Sequence, residues 1–309
     1  MKGNNGYIMT YVNPDSDGVC TSIAYSKYLR KNDRLFEPVF YGNFNDETMY
    51  ILEKAGIEGK FKFNEYDPEA KIILIDTHQL IQLPYLTNPE NVIEVIDHHP
   101  AGNAEELVNA NIKNETIGAT ATIIGRLMLE DGYDFKKDVA LLICAAIISN
   151  TLNFTAPSTT NEDLRIYTIF NRIAGIDDSF IKVMFECKNT ILGKATKDIL
   201  LSDFKVFNTN TFKYGISQLE LTQSSLLISK KDLLSEMLNL SRESGVEFFL
   251  LNIINIIEKK SYVLACDDKG EEIINKIFKE RNKKGIFYIF NRVLLRKTDF
   301  VKQIEKIYI

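Results

Sequence analysis

The run Asn91-Val92-Ile93-Glu94-Val95-Ile96-Asp97-His98-His99 carries an apolar, β-branched stretch onto one carboxylate and two of the protein's three histidines. Such a stretch suits a strand in the middle of a sheet, and its polar end belongs where the strand leaves that sheet. Lys71-Ile72-Ile73-Leu74-Ile75-Asp76 has the same form and also ends on an aspartate. Nearer the start, residues 7–12 form a short β-prone run, broken by Asn13-Pro14-Asp15-Ser16-Asp17-Gly18. A helical pattern follows over about 19–29. Residues 38–41 read as another strand, 48–55 as a helix closed by Gly56, and 119–129 and 138–148 as helices. Strands alternating with helices predict an α/β fold with a doubly wound, mostly parallel sheet.

The pattern changes after about residue 190. Residues 203–207 and 214–221 flank the polar turn Asn208-Thr209-Asn210-Thr211 and predict a hairpin. Residues 248–257 and 262–266, joined by Glu258-Lys259-Lys260-Ser261, predict a second one, with helices over 230–243 and 271–279 to cover them. The expected organisation is a first domain over 1–187, a linker over 188–196, and a smaller α+β domain with a mixed sheet over 197–309. A chain of 309 residues has room for two such cores.

Composition narrows the function. Hydrophobic residues make up 45% and charged residues 26%, as in an ordinary globular protein. Lys plus Arg number 37 against 42 Asp plus Glu, for a net charge of -5. That balance argues against nucleic acid as a main partner, which would call for a basic face. The most apolar stretches, 140–148 and 248–257, are too short to span a bilayer, so no membrane role is expected. The first five residues lack the apolar run of a signal peptide. Cys20, Cys144, Cys187 and Cys266 are scattered without metal-ligand spacing and read as reduced thiols of a cytoplasmic protein.

Asp15, Asp17, Asp76 and Asp97 all fall where strands should end, which is where open parallel sheets bind their ligands. Gathering carboxylates there is electrostatically costly unless a cation compensates them. Carboxylates beside the imidazoles of His98 and His99 suit Mn²⁺ or a similar divalent ion, and a shared carboxylate suits a pair of ions. The set points to metal-assisted hydrolysis of a phosphoester or phosphoanhydride. Each piece has a plainer reading as well. Asp15 and Asp17, taken alone, read as a turn that caps a helix, and Asp76 could be another cap. The Asp97-His98-His99 triplet is harder to explain away, because burying it without partners is expensive.

These residues resemble the DHH phosphoesterases, whose signature is Asp97-His98-His99 here, and within them the manganese-dependent (family II) inorganic pyrophosphatases. Asn-Pro-Asp-Ser-Asp at 13–17 resembles their first motif, Ile-Leu-Ile-Asp at 73–76 the second and Val-Ile-Asp-His-His at 95–99 the third. Gly118-Ala119-Thr120-Ala121-Thr122 resembles the helix start that comes next, and Ala145-Ala146-Ile147-Ile148-Ser149-Asn150-Thr151 the fourth motif. Arg296-Lys297 matches the basic pair of a DHH-associated C-terminal domain. The resemblance implies that Asp15, Asp17, Asp76 and His98 ligate two Mn²⁺ ions, with Mg²⁺ or Co²⁺ as alternatives and Asp76 bridging. His99 would contact phosphate or assist the leaving group, and Asp97 would orient an imidazole. Lys213, Arg296 and Lys297 would hold the far phosphate across the interdomain cleft. A metal-activated hydroxide near Asp76 would then cleave pyrophosphate to two phosphates. A homodimer is the partner the resemblance favours.

Two positions depart from that pattern. Tyr11 stands where the family has a metal-binding histidine, and Asn150 where it has a ligating aspartate. An unperturbed phenol titrates near 10 and is a weak ligand, while Asn150 offers a carbonyl oxygen without charge. His78, two residues after Asp76 and so on the same face of extended backbone, could supply the nitrogen that Tyr11 cannot; the plainer reading, which is favoured, is an exposed or hydrogen-bonded loop histidine. Three function classes follow: a pyrophosphate hydrolase, an exopolyphosphatase-like hydrolase of longer polyphosphate or another phosphoester, and a catalytically silenced phosphate- or nucleotide-binding paralogue.

Overall fold

The computed structural model describes residues 6–57, 61–63, 67, 69–85, 87–100, 102–188, 191–279 and 282–308. The chain forms two compact units, Met1–Lys188 and Asn189–Ile309. Of the expected linker over 188–196, residues 189 and 190 lie outside the described residues, as do the first five residues of the chain.

In the first unit the elements run β1 (Gly6–Met9), α1 (Ser16–Lys31), β2 (Phe36–Phe40), α2 (Asp46–Lys54), β3 (Lys62–Phe63), β4 (Lys71–Ile75), β5 (Val92–Asp97), β6 (Asn111–Asn114), α3 (Thr120–Glu130), α4 (Lys137–Asn150), α5 (Asn161–Ala174) and α6 (Asp178–Lys188). The strands lie in the order β3-β2-β1-β4-β5-β6, and every neighbouring pair is parallel. The chain works outward from β1 in one direction and then, from β4, in the other. The strand order therefore reverses between β1 and β4, and the crevice beyond their carboxyl ends is the place such sheets use for ligands. Asp15, Asp17, Asp76 and Asp97 all lie at that end.

Local sequence explains the elements. Ile72, Ile73, Leu74 and Ile75 of β4 are fully buried, so a continuous apolar run is what the position demands. Helix α4 buries every residue from Val139 to Ser149. Helix α5 starts on a capping box in which Thr160 and Asp163 exchange hydrogen bonds, and it stops at Gly175 in the left-handed region. Strand β1 is shorter than expected and α1 longer. The chain leaves the sheet after Met9, turns at Asn13 (φ 57°) and starts the helix at Ser16, because Asp15 caps it by accepting from the Asp17 and Gly18 N–H groups.

The second unit comprises α7 (Thr196–Leu201), β7 (Phe204–Asn208), β8 (Lys213–Leu221), α8 (Ser224–Ile228), α9 (Leu233–Glu243), β9 (Phe248–Asn255), β10 (Lys260–Ala265), α10 (Asp268–Ile277), β11 (Lys283–Lys284), β12 (Phe287–Phe290), a π-helical turn at Arg296–Val301 and α11 (Lys302–Tyr308). Its sheet, β11-β12-β10-β9-β8-β7, is mixed, with β8 and β9 parallel and the other pairs antiparallel. Both expected hairpins are present. Strand β9 is buried throughout, and its side chains alternate between two cores. Phe249, Leu251 and Ile253 pack with Leu233, Met237 and Leu240 of α9, while Phe248 and Leu250 pack with Ile273 and Ile274 of α10. Among the described residues no helix is long and apolar enough to cross a membrane.

Phe170 of α5 is fully buried and stacks on Phe135 with ring centroids 4.0 Å apart. Phe170→Ala should cost the first unit about 3–5 kcal/mol, read as a lower urea midpoint at unchanged slope. A loss under about 1 kcal/mol would contradict this packing.

Candidate metal centre

Four aspartates converge at the carboxyl ends of β1, β4 and β5, and neighbouring polar groups hold each in a different way. Asp15 uses Oδ1 to cap α1, accepting from Asp17 N at 2.9 Å and Gly18 N at 3.2 Å. Asp17 is fully buried and accepts four hydrogen bonds, two on each oxygen. Thr21 Oγ1 (2.9 Å) and Ala121 N (3.0 Å) donate to Oδ1, and Thr120 N (2.7 Å) and Asn150 Nδ2 (3.3 Å) to Oδ2. Helix α3 has no side-chain cap of its own, so Asp17 satisfies its first N–H groups from another helix and meets the positive end of its dipole. Asp76 sits at φ 63° just past β4, with its N–H on Ile96 O and its Oδ1 accepting from Thr120 Oγ1 at 2.7 Å. Thr120 thereby ties two carboxylates together.

Asp97, also fully buried, organises the histidines. Its Oδ1 accepts from His98 N (2.7 Å), His99 N (3.2 Å) and His99 Nδ1 (2.8 Å), and its Oδ2 lies 2.5 Å from His78 Nδ1. His98 turns the other way. Its Nδ1 donates to Ile117 O at 2.9 Å, which fixes the tautomer and leaves the Nε2 lone pair facing Asp76 Oδ1, 3.5 Å away. Asp76, His98 and His99 each present a ligand atom within 4.8 Å of the other two. Donors on opposite sides of one ion lie roughly 4.2 Å apart at bonds of about 2.1 Å, so the three are close to the spacing a single cation needs.

The electrostatics suit a bound cation. Burial pushes the Asp17 carboxyl up to about 6, opposed by His98 and the α3 N–H groups and reinforced by Asp15. Burial, and then Asp17, Asp15 and Asp97, raise Asp76 well above the ordinary carboxylate range. Asp97 goes the other way: burial raises it, but hydrogen bonds from His99 and His78 outweigh that and bring it down to about 2. The same contact with Asp97 raises His99. Among the described residues these carboxylates form ion pairs with histidines alone. The Thr10 hydroxyl is buried without a hydrogen-bond partner. A Cβ on Gly18 would lie 2.7 Å from that hydroxyl and 3.5 Å from Asp76 Oδ2, so the glycine keeps open a polar space beside Asp76. Buried carboxylates short of counter-charge around such a space suit a divalent ion.

The other expected residues are placed as follows. Tyr11 Oη accepts from Asp15 N at 3.1 Å, and burial, with Asp15 and Asp76 nearby, pushes its hydroxyl far up, so it remains a neutral phenol. His78 is buried away from the metal-ligand cluster. Its Nδ1 is held by Asp97 and its Nε2 edge packs on Gly102, where a Cβ would come within 2.2 Å. Asn150, the last residue of α4, approaches Asp17 and His98 through its amide. Directly after it, Leu152, Asn153 and Phe154 all take φ between 48° and 62°, three consecutive side-chain-bearing residues in a region that costs each of them energy. In the second unit, Lys213 and Lys297 are exposed. Arg296 is 7% exposed, and its guanidinium donates to the Asp203 carbonyl at 2.7 Å and to Asp203 Oδ1 at 3.0 Å. Sequence reading gave no role to Thr10, Thr120 or Gly102. The Gly-Ala-Thr start of α3, following a strand, was the available signal for Thr120.

The chain belongs to the DHH family: the model for the DHH family, N-terminal domain, matches residues 5–147, and the DHHA2 domain matches 182–306. Its relatives include a protein of Clostridium acetobutylicum, named a probable manganese-dependent inorganic pyrophosphatase. It is 30% identical, over 96% of this chain and 95% of its own length. The crystal structure of a Methanococcus jannaschii protein proposed to be a family II inorganic pyrophosphatase is similar over 98% of this chain and 99% of that one, at a TM-score of 0.68 and 28% identity. An exopolyphosphatase-related protein of Bacteroides fragilis shares the fold, at a TM-score of 0.53 and 17% identity over 98% of this chain and 91% of that one.

The raised Asp17 carboxyl sets a pH dependence. It titrates near 6 in the fold against 3.8 ordinarily, so between about pH 4 and 6 the folded state holds more protons than the unfolded one. Through Asp17 the metal-free protein should lose stability as pH rises across that window, by a few kcal/mol at most. A divalent cation should therefore raise the Tm more at pH 7.5 than at pH 5. Thermal melts with chelator and with Mn²⁺ test this, and equal rises at the two pH values would contradict it.

Proposed function

We propose that this chain is a metal-dependent hydrolase of a phosphoanhydride, with inorganic pyrophosphate as substrate and Mn²⁺ as the ion. One observation carries the reading: Asp76, His98 and His99 meet at the point where the strand order reverses, with Asp15 close by and buried carboxylates short of positive charge. The manganese-dependent pyrophosphatases among its relatives support the substrate and the metal. When bound, the ion supplies positive charge for phosphate oxygens and acidifies water.

The chain's own residues do the rest. The Ile117 carbonyl holds His98 with Nε2 toward Asp76. Asp97 holds His99 through Nδ1, leaving Nε2 of a half-exposed ring to carry a proton toward the departing phosphate oxygen. The raised affinity of His99 for that proton suits this task. His78 is a positioning residue, because it fixes the Asp97 carboxylate from the far side. Lys213 and Lys297, exposed in the second unit, are assigned to the outer phosphate as point charges. Arg296 braces the turn that carries Lys297, through its bonds to Asp203. A cytoplasmic setting suits the four unpaired thiols.

Phosphate release from pyrophosphate and from long-chain polyphosphate, with metal-stripped protein resupplied with Mn²⁺, is the deciding experiment. Metal-dependent release from pyrophosphate is expected, and Asp76→Asn should reduce it about 10³-fold. Faster release from polyphosphate would reassign the substrate, and release from neither would sink the reading. His78→Ala should lower the rate about 10- to 100-fold while the number of bound Mn²⁺ ions stays unchanged. A lost ion in that variant would instead make His78 a ligand.

A further inference from the structure

We infer that this chain holds a single divalent ion in its centre, because the Asn150 amide fills the coordination position that a second ion would need. The inference rests on the metal-dependent reading above and sets the number of ions within it. Asn150 Nδ2 lies 3.1 Å from His98 Nε2 and 3.3 Å from Asp17 Oδ2. Neighbouring donors on one octahedral ion with bonds of about 2.1 Å lie roughly 3 Å apart, so the amide stands where a ligand would stand.

Its chemistry is that of a donor, however. The Gly118 carbonyl, 2.9 Å from Nδ2, sets the orientation. Turning the amide over would bring its oxygen against that carbonyl oxygen, two acceptors facing each other. Asn150 therefore presents N–H groups, which cannot ligate a cation. Asp17 is closed as well. An ionised carboxylate has about four lone-pair sites, and hydrogen bonds from Thr21, Ala121, Thr120 and Asn150 occupy two on each oxygen. The two amide N–H groups are shared among the Gly118 carbonyl, Asp17 and His98 Nε2, so an ion taken up at His98 displaces only the last of these contacts. The groups left for an ion are Asp76 and His98, with Asp15 close by and the His99 ring at the rim of the same cluster.

The test counts ions rather than turnover. Metal-free protein is titrated with Mn²⁺ by calorimetry, and the loaded protein is then examined by electron paramagnetic resonance. One Mn²⁺ per chain with an uncoupled six-line signal is expected for the wild type. Asn150→Asp replaces the donor with an acceptor and should take up a second Mn²⁺, with loss of the six-line signal through exchange coupling. Without metal the same variant should melt at a lower temperature than the wild type, and Mn²⁺ should reverse the difference. Two ions in the wild type would overturn the inference and leave the proposed hydrolase intact, whereas no bound ion would overturn both. Asn150→Asp remaining at one ion would remove the role given to the amide. The wild-type count decides the matter even where the variant fails to fold.

Discussion

Burying a carboxylate is costly, and at the ends of β1, β4 and β5 this fold buries Asp17, Asp76 and Asp97 together, while keeping Asp15 close by. Much of the first unit is arranged around that cost. The α3 N-terminus points at Asp17, Thr120 bridges Asp17 to Asp76, and Asp97 collects two imidazoles and two backbone N–H groups. Neutral and partial charges do this work, because the described lysines and arginines are placed elsewhere. Dipoles alone leave part of the penalty standing, and the raised Asp17 and Asp76 carboxyls express the remainder. A folded state that keeps such a deficit at the ligand-binding end of a parallel sheet is poised to take up a cation.

Asp17 and Asp97 show how neighbours separate two chemically identical groups. Both are wholly buried, yet one is held near 6 and the other near 2. Burial, with Asp15 beside it, raises Asp17 more than His98 and the α3 N–H groups lower it, while hydrogen bonds from His99 and His78 bring Asp97 down. The fixed charge of Asp97 in turn gives His99 its appetite for a proton. Asp97 thus sets the protonation of the exposed imidazole, while the raised Asp17 and Asp76 leave negative charge that a nearby cation would offset.

The sheet of the first unit was legible because 71–76 and 92–97 are apolar strands ending on acids, a pattern that requires burial on both faces and a polar exit. The alternation of β9 between two cores was less visible, since every residue of that strand is buried and no polar phase marks its faces. Helices α5 and α6 escaped the sequence reading. Tertiary contacts stabilise them, such as Phe170 on Phe135, and these join residues far apart in the chain. In the site, the aspartates and histidines could be read from their positions at strand ends. The roles of Gly18 and Gly102 could not, because they depend on which side chain of another element comes within 3 Å, and for Thr120 the Gly-Ala-Thr helix start marked the place but not the bond to Asp76. Arg296 carries a contact that motif matching does not reveal: its place in the chain suggests an anion clamp, and its guanidinium is also bonded to Asp203.

The left-handed turn at 152–154 bears on how this protein could be altered. A glycine at Asn153 would relieve local strain, so a search for greater heat resistance would be drawn to this segment. Yet the segment immediately follows Asn150, and its hydrogen bonds back to Ile148 and Thr151 hold the end of α4 where the amide meets Asp17. Relaxing it would exchange a defined position for a mobile one. The stretch that looks easiest to improve is therefore where engineering for robustness would erode the centre.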